Sequence, residues 1–252
     1  MKPIDYRGKT AVITGAGSGM GRCASGELVK LGATVVMCDI NGEALEKAAA
    51  EINAGGPGKA YPCVADVRRF ADAEKAAALA REKTGRIDLL VTFAGGYEPR
   101  MGGTCGTPFY EQPVEVLDWG IDVNLKGPIY FARACMPAMV EAHAGVICCI
   151  GSVTGFEGDG YGAMYGTAKS GLFNFVKGLA QAGAPHGVRA FCVTPGPVMT
   201  RPGMANMKTL QGRQSQPIEL VDFILYLASE NGTSITGSNH VMDCGRLSMQ
   251  PQ

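Results

Sequence analysis

The stretch that decides the fold reads Thr10-Ala11-Val12-Ile13-Thr14-Gly15-Ala16-Gly17-Ser18-Gly19-Met20-Gly21. Its first five residues have the short apolar pattern of a buried strand, and an amphipathic helix is predicted over residues 22–31. A glycine turn between strand and helix typically binds a dinucleotide pyrophosphate, because small residues let the backbone approach the phosphates. The helix N-terminus adds free amides and the positive end of a dipole. An ordinary tight turn is the alternative interpretation.

The second predicted strand, over residues 34–38, ends at the acidic residue Asp39. An acidic side chain about 20 residues beyond the glycines can bind the adenosine ribose hydroxyls. Ile40 follows, and the glycine turn contains no basic residue before Arg22 that could pair with a 2′-phosphate. These residues favour NAD over NADP. The alternative role for Asp39 is that of a helix cap.

Strands and helices alternate at short spacing, which is typical of a parallel, doubly wound sheet. Further strands are predicted over residues 59–64, 87–93, 146–150, 188–193 and 238–242, and further helices over 43–52, 70–83, 114–142, 165–182 and 217–228. We expect an α/β fold of the Rossmann type, with about seven strands and helices on both faces. No repeat or linker marks a second domain, so one nucleotide-binding domain is expected over residues 1–252. Ligands of such sheets bind beyond the C-terminal strand ends, where the glycine turn, Asp39, Asp66 and Ala94-Gly95 fall.

Ser152, Tyr165 and Lys169 form a second set of residues, and their chemistry suggests proton transfer. Tyr165 and Lys169 are four residues apart, which places both on one face of a helix. A tyrosine with its ordinary pKa of about 10 is a poor base at neutral pH, and a nearby ammonium lowers that pKa. The Ser152 hydroxyl could hold the substrate oxygen whose proton the tyrosine takes or gives. The pair alone favours a packed tyrosine beside a solvated lysine, and only the rest of the chain reverses that preference.

Composition excludes several classes of function. The 23 basic and 23 acidic residues balance, and no basic patch or acidic tail indicates nucleic acid or an anionic membrane as a partner. No apolar run approaches the roughly 20 residues of a membrane span, and early polar residues argue against a signal peptide. Nine cysteines without metal-ligand spacing predict reduced thiols in a cytoplasmic protein, and three dispersed histidines predict no metal site.

The substrate side is predicted to involve the long loop at residues 97–113, which is either functional or a mobile surface insertion. Its expected walls are largely apolar and aromatic, which suits a secondary alcohol with a hydrophobic body. Arg100 and Arg201 could pair with an acidic substrate group, although solvated surface arginines are the interpretation that we favour. The expected walls are Gly96, Tyr97, Thr154, Phe156, Tyr161, Met164 and Met199.

Together these residues resemble the short-chain dehydrogenase/reductase family along nearly the whole chain. The stretch from Thr14 to Gly21 is similar to the family's cofactor turn, and Tyr165 with Lys169 is similar to its active-site pair. Asn124, Ser152 and Pro195-Gly196 lie in the expected order. The resemblance implies an oxidoreductase that passes a hydride between a substrate carbon and a nicotinamide ring.

The resemblance also implies a role for each matched residue. Tyr165 would be the general acid/base, and Lys169 would lower its pKa and hold the nicotinamide ribose. Ser152 would bind and polarise the substrate oxygen, and Asn124 would anchor a water that relays protons to Lys169. Of the cofactor contacts, Asp66 and Val67 would touch adenine, Ala94 and Gly95 the adenosine side, and Val198 and Thr200 the nicotinamide amide. The whole expected cofactor set is Gly15, Gly17, Ser18, Gly19, Met20, Gly21, Asp39, Ile40, Asp66, Val67, Ala94, Gly95, Tyr165, Lys169, Pro195, Gly196, Val198 and Thr200.

The chain departs from the family pattern at the end of the fourth strand, where Phe93 replaces the usual Asn, and in the strand before Pro195-Gly196, where Phe191 does. These departures bear on strand-end packing and cofactor fit more than on the chemistry. The leading interpretation is an NAD-dependent alcohol dehydrogenase or ketone reductase. The alternatives are a non-catalytic dinucleotide-sensing protein on the same fold and an NADPH-preferring carbonyl reductase of the 3-oxoacyl type. An S-adenosylmethionine enzyme would leave Ser152, Tyr165 and Lys169 without a role.

The expected partners are a small alcohol or ketone and further copies of this chain. By resemblance, the helices at 114–142 and 165–182 pair across subunits in a homotetramer or homodimer. The same apolar faces could instead pack within one chain. Neither nucleic acid nor a membrane is expected as a partner.

Overall fold

The computed structural model describes residues 2–249. Within that range, seven strands form one parallel sheet with the order β3-β2-β1-β4-β5-β6-β7. The strands are β1 (Thr10–Thr14), β2 (Thr34–Asp39), β3 (Lys59–Val64), β4 (Leu89–Thr92), β5 (Gly145–Ile150), β6 (Val188–Pro195) and β7 (Asn239–Met242). The predicted doubly wound α/β fold is confirmed.

Helices connect these strands and cover both faces of the sheet. They are α1 (Gly19–Lys30), α2 (Gly42–Asn53), α3 (Phe70–Thr84), α4 (Glu98–Met101), α5 (Val114–Ile121), α6 (Gly127–Glu141), α7 (Thr154–Glu157), α8 (Ala163–Gly183) and α9 (Pro217–Ala228). A π-helical turn, Asp122–Lys126, joins α5 to α6. The helical region that we predicted as one piece therefore has an irregular turn in its middle.

Two apolar layers enclose the sheet, one on each face. Successive side chains of a strand point to opposite faces, so Ile13 packs with α1, α2 and α9, whereas Val12 packs with α3, α6 and α8. Both side chains are fully buried. Helices on both faces explain why the strands are nearly continuous apolar runs rather than alternating patterns.

The strand order reverses beside β1, and this reversal places the ligand-binding crevice. β1 pairs with β2 on one side and with β4 on the other, so Thr14 lies level with Cys38 and with Thr92. Loops that leave the carboxyl ends of β1 and β4 therefore diverge above the sheet. A crevice at such a switch point is the usual ligand site of doubly wound sheets.

Two long segments extend this crevice beyond the strand ends. The first contains α4 and the 3₁₀ turn Phe109–Glu111, and the buried Gln112 ties it together by donating to the Thr107 carbonyl at 2.7 Å. The second follows β6 and contains the 3₁₀ turn Pro202–Asn206. The Met199 N–H donates to the Ser215 carbonyl at 2.9 Å, which closes the second segment at its base.

Three chemical features of the described chain bear on its class. Between residues 2 and 249, no helix combines the length and apolar character that crossing a bilayer requires. All nine cysteines, each of which falls in this range, are free thiols. The same range contains no cluster of three side chains that could ligate a metal ion.

Candidate active site

A cleft of about 850 Å³ opens at the carboxyl ends of the strands. Ser152, Tyr165 and Lys169 line it together with the glycine turn, and Asn124 lies directly behind its wall. Every expected cofactor residue except Gly17 lines the same cleft. These lining residues are Gly15, Ser18, Gly19, Met20, Gly21, Asp39, Ile40, Asp66, Val67, Ala94, Gly95, Tyr165, Lys169, Pro195, Gly196, Val198 and Thr200.

The glycine turn requires glycine for two different reasons. Gly15 has a φ of +66°, and a Cβ atom there would lie 2.8 Å from the Ala94 nitrogen. A Cβ atom at Gly21 would collide with the carbonyl oxygen of Gly15. The first glycine thus permits the left-handed backbone, and the second lets α1 begin directly against the turn. Because the turn is this tight, the N-terminus of α1 remains accessible from the cleft.

Asp39 is fixed by the turn that it faces. The Gly17 N–H donates to Asp39 Oδ2 at 2.9 Å, and the Asn41 N–H donates to Oδ1 at 3.0 Å. The N-cap of α2 is Asn41, whose side chain accepts from the Ala44 N–H, so the alternative role of Asp39 as a helix cap is wrong. Gly17 does not line the cleft, but its N–H helps to hold Asp39 in place there.

The neighbouring acidic residue has a different environment. Asp66 pairs with Arg68 at 2.6 Å, and this hydrogen-bonded guanidinium lowers the pKa of the carboxyl group. Ile40 is 64% exposed at the rim of the cleft and offers an apolar surface there. This end of the cleft therefore combines one carboxylate without an ion pair, one carboxylate paired with an arginine, and an apolar surface, which suits a ribose and a flat ring.

α8 carries the tyrosine and lysine on one face, as their spacing predicts. Lys169 is buried, and its Nζ lies 5.6 Å from the centre of the Tyr165 ring. The ammonium donates to the Ile150 carbonyl at 2.7 Å. Burial lowers the pKa of Lys169 to about 8. A lysine in this position can exchange its proton near neutral pH.

The pKa of Tyr165 differs from our expectation. Burial raises it, while hydrogen bonding with Ser152 and the positive charges of Arg201 and Arg100 act in the opposite direction. We expected the lysine to lower this pKa. The groups that act to lower it are Ser152 and the two arginines, and Lys169 is not among them.

Asn124 lies in the π-helical turn and is fully buried. Its Nδ2 donates to the carbonyls of Gly120 and Gly96, and its Oδ1 accepts from the Gly96 N–H, each at 2.9 Å. A Cβ atom at Gly95 would lie 2.7 Å from Asn124 Oδ1 and 3.5 Å from Lys169 Nζ. The asparagine and the lysine therefore meet beneath Gly95, although they are far apart in sequence. The role of Asn124 as a water anchor stays a prediction.

Glu98, for which the sequence predicted no role, supports the start of α8. This carboxylate is fully buried, and its Oε1 accepts from the N–H groups of Met164 at 2.9 Å and Tyr165 at 3.1 Å. The local N-cap, Gly162, has no side chain to satisfy these amides. A carboxylate from a distant loop performs that function and favours the positive end of the helix dipole. Nothing near Tyr165 in the sequence signals this contact.

The substrate end is lined by a different set of residues from the one we expected. Gly96, Tyr97 and Thr154 line the cleft, whereas four other expected wall residues do not. Those four are Phe156, which stacks on Phe173, and Tyr161, Met164 and Met199. Further lining residues that the sequence did not predict include Met101, Trp119, Asp159, Met204 and Met207. Arg100 and Arg201 also line it, and both are exposed, so they are solvated, as the favoured interpretation holds, and also face the cleft.

The two phenylalanines that replace the family's usual Asn have separate consequences. Phe93 lines the cleft, next to Ala94 in the chain. Phe191 is fully buried and packs edge-on against His240 at 6.1 Å between ring centres. Only the first departure touches the site.

Comparison with known proteins identifies the family. The family model described as short chain dehydrogenase matches residues 9–211. The chain belongs to the short-chain dehydrogenase family. It is therefore an oxidoreductase of a family that acts on small molecules with NAD or NADP and is commonly oligomeric.

Three similar proteins show the range within this family. The chain is 34% identical over 258 residues to oxidoreductase UcpA of Salmonella typhimurium, with 94% of each chain covered. It is 30% identical over 250 residues to 2-dehydro-3-deoxy-L-rhamnonate dehydrogenase (NAD(+)) of Sphingomonas sp., with 96% of each covered. The structure of 7α-hydroxysteroid dehydrogenase with NADH and 7-oxo glycochenodeoxycholic acid has a TM-score of 0.85 at 25% identity, covering 97% of this chain and 98% of that one.

Proposed function

We propose that the protein interconverts a secondary alcohol and a ketone by hydride transfer to or from NAD, with Tyr165 as the general acid/base. The observation that carries this proposal is the meeting of Asn124, Ser152, Tyr165 and Lys169 at one end of a cleft whose other end is the glycine turn. A protein that only senses a dinucleotide needs no such set. The proposal treats residues 1–252 as one nucleotide-binding domain.

Asp39 supports NAD as the preferred cofactor over NADP. Its carboxylate lies in the cleft beside the turn, where a 2′-phosphate would meet like charge. The name of the rhamnonate dehydrogenase includes NAD(+), and the hydroxysteroid dehydrogenase was solved with NADH. NAD bound here would supply the hydride acceptor, with the glycine turn against its pyrophosphate and Lys169 near its nicotinamide ribose.

The residues at the other end would handle the proton. In alcohol oxidation, Ser152 holds the substrate oxygen and the Tyr165 phenolate takes its proton. In ketone reduction, the Tyr165 phenol gives the proton back. Because burial raises the pKa of Tyr165, its protonated form is favoured at neutral pH, and oxidation should accelerate as the pH rises. Lys169 and Asn124 would carry the proton onward.

We also propose a homodimer or homotetramer in the cytoplasm. By resemblance, subunits pair through the helical regions that contain α6 and α8. These two helices form a shared apolar groove, which is lined by Ile129, Arg133, Met136, Pro137, Val140, Phe175 and Leu179. Nine free thiols suit a reducing compartment. A monomeric mass in light scattering would remove the proposed oligomer.

The test is NADH formation from NAD with polyols, hydroxy acids, hydroxysteroids and simple cyclic alcohols. NADP and the Tyr165→Phe variant are run beside it. We expect turnover with NAD that falls about 10²–10⁴-fold in the variant, because removing a positioned acid/base typically costs that much. NADH binding should be retained. Most of the activity surviving in Tyr165→Phe would refute the mechanism, and an equal rate with NADP would refute the cofactor preference.

A further inference from the structure

Two arginines from separate loops reach the substrate end of the cleft. Arg100 belongs to α4, and Arg201 follows Thr200 in the segment beyond β6. Among residues 2–249, neither side chain forms a hydrogen bond or an ion pair with another residue. Several other arginines form ion pairs, as Arg68 does with Asp66 and Arg246 with Glu157.

Both guanidinium groups lie close to the reacting residues. A Cβ atom at Gly96 would lie 3.7 Å from Arg100 Nη2, and Gly96 is the residue whose backbone binds Asn124. The charges of Arg201 and Arg100 both lower the pKa of Tyr165. The two arginines also act on each other, since burial and the charge of Arg100 lower the pKa of Arg201. Two positive charges that repel each other favour the binding of an anion between them.

The carboxylates near this place are already engaged. Glu98 accepts from the backbone at the start of α8. Asp159 accepts from the N–H groups of Tyr161 at 2.8 Å and Gly162 at 3.1 Å, and burial together with this carboxylate raises the pKa of Tyr97. The positive charge of the two arginines is therefore directed to the cleft rather than neutralised by ion pairs.

We propose that the substrate carries an oxyanion group, a carboxylate or a phosphate, that binds between Arg100 and Arg201 while its alcohol or ketone reaches Tyr165. The guanidinium group presents paired N–H donors that match the two oxygens of such a group. The surrounding Met101, Trp119 and Met204 provide an apolar surface for the body of the molecule. The substrate class is thus a hydroxy acid or keto acid, or its phosphorylated equivalent. This inference rests on the proposed function, because it places the reacting carbon at Tyr165.

The test measures binding, so that it does not depend on turnover. Protein saturated with NAD, which cannot reduce a ketone, is titrated with 4-oxo-4-phenylbutanoate and with its amide, and then with 4-oxopentanoate and its amide. Each pair shares a ketone and differs by one charge. We expect the acid of each pair to bind at least about 10-fold more tightly than the amide, as charge-assisted hydrogen bonds to a guanidinium group are the stronger kind. Dihydroxyacetone phosphate against dihydroxyacetone shows whether phosphate is preferred instead.

Variants assign the effect to the two arginines. Arg100→Gln and Arg201→Gln should each reduce the preference for the acid about 3- to 10-fold, and the double variant should abolish it, with amide binding unchanged within about 2-fold. The matched control is Arg81→Gln, an exposed arginine that pairs with Glu141 far from the cleft. Raising the salt concentration should reduce the preference in the wild type, because exposed charges are screened.

Several results would overturn the inference. These are equal binding of acid and amide, failure of every probe to bind, or a preference that survives in the double variant. A matching loss of NADH affinity in the variants would assign the arginines to the cofactor instead. A charge preference without any ketone turnover would contradict the proposed function alone, whereas turnover without the preference would contradict this inference alone.

Discussion

The two ends of the cleft are built in different ways. At the cofactor end, backbone contacts between neighbouring strand ends set the shape, as where the Ala16 N–H donates to the Cys38 carbonyl at 3.0 Å. At the substrate end, side chains from distant segments do so, as where Glu98 binds the N–H of Tyr165. Backbone contacts tolerate many side chains, but side-chain contacts change with each substitution. One end can therefore stay constant while the other acquires new substrates.

The largest effect should come from a glycine at the cofactor end. In Gly21→Ala the new methyl group collides with the Gly15 carbonyl, which is backbone and cannot move aside. We expect the free energy of unfolding to fall by about 3 kcal/mol and NADH binding to be lost, since overpacking against a rigid neighbour forces the backbone to shift. Urea unfolding and an NADH titration measure both quantities.

The control for that variant lies on the same helix. A Cβ atom at Gly26 would find only Ile52 Cγ1, at 3.9 Å. Gly26→Ala should therefore leave NADH binding unchanged and stabilise α1 by about 0.5–1 kcal/mol. Normal NADH binding in Gly21→Ala would show that close backbone packing does not shape the cofactor end.

A smaller effect is expected from Glu98→Gln at the substrate end. The amide group keeps one acceptor for two N–H groups and removes a buried charge, so we expect a loss of about 2 kcal/mol in the free energy of unfolding. The Glu98 charge raises the pKa of Tyr165, and its removal should lower that pKa. The rise of alcohol oxidation with pH should therefore shift to lower pH. Rate profiles against pH and urea unfolding test the two parts.

Glu111→Gln is the matched control, because Glu111 lies exposed in the same loop. It should change neither the stability nor the pH profile. If Glu98→Gln behaves like this control, the start of α8 does not depend on the distant carboxylate.

The same contrast explains what the sequence could predict. The glycine turn and Asp39 were predictable because their requirements are local: a left-handed residue, a close approach and a strand end. The parallel, doubly wound sheet was predictable from the alternation of strands and helices. Tyr165 and Lys169 shared a face because helical spacing fixes that relation.

The remaining features depend on contacts between distant parts of the chain, which no local sequence pattern encodes. Glu98 reaches α8 only after the loop has folded, and Trp119 lines the cleft only because α5 packs beside it. The π-helical turn at Asn124 has no glycine or proline within it to mark it. The spacing placed Lys169 beside Tyr165 but could not show that its ammonium binds the Ile150 carbonyl.

Lys169 lies where the two ends of the cleft meet, and its burial lowers the free energy of unfolding. Burial lowers its pKa from 10.5 to about 8. Below pH 8 the native state must bury an ammonium, whereas the unfolded chain solvates it. Lys169→Met should therefore abolish turnover yet increase the free energy of unfolding at pH 7, by about 1–2 kcal/mol once the lost hydrogen bond to Ile150 is subtracted.

The way in which the free energy of unfolding changes with pH distinguishes the cost of a buried charge from an effect of better packing alone. Between about pH 8 and 10.5 the native lysine is neutral while the unfolded one still binds a proton, so the wild type gains stability as the pH rises. Methionine cannot titrate, and the advantage of Lys169→Met should shrink from pH 7 to pH 9. Lys177→Met, an exposed lysine on the same helix, should show no such trend. An advantage that stays constant with pH would mean that packing, and not a buried charge, limits stability where the two ends of the cleft join.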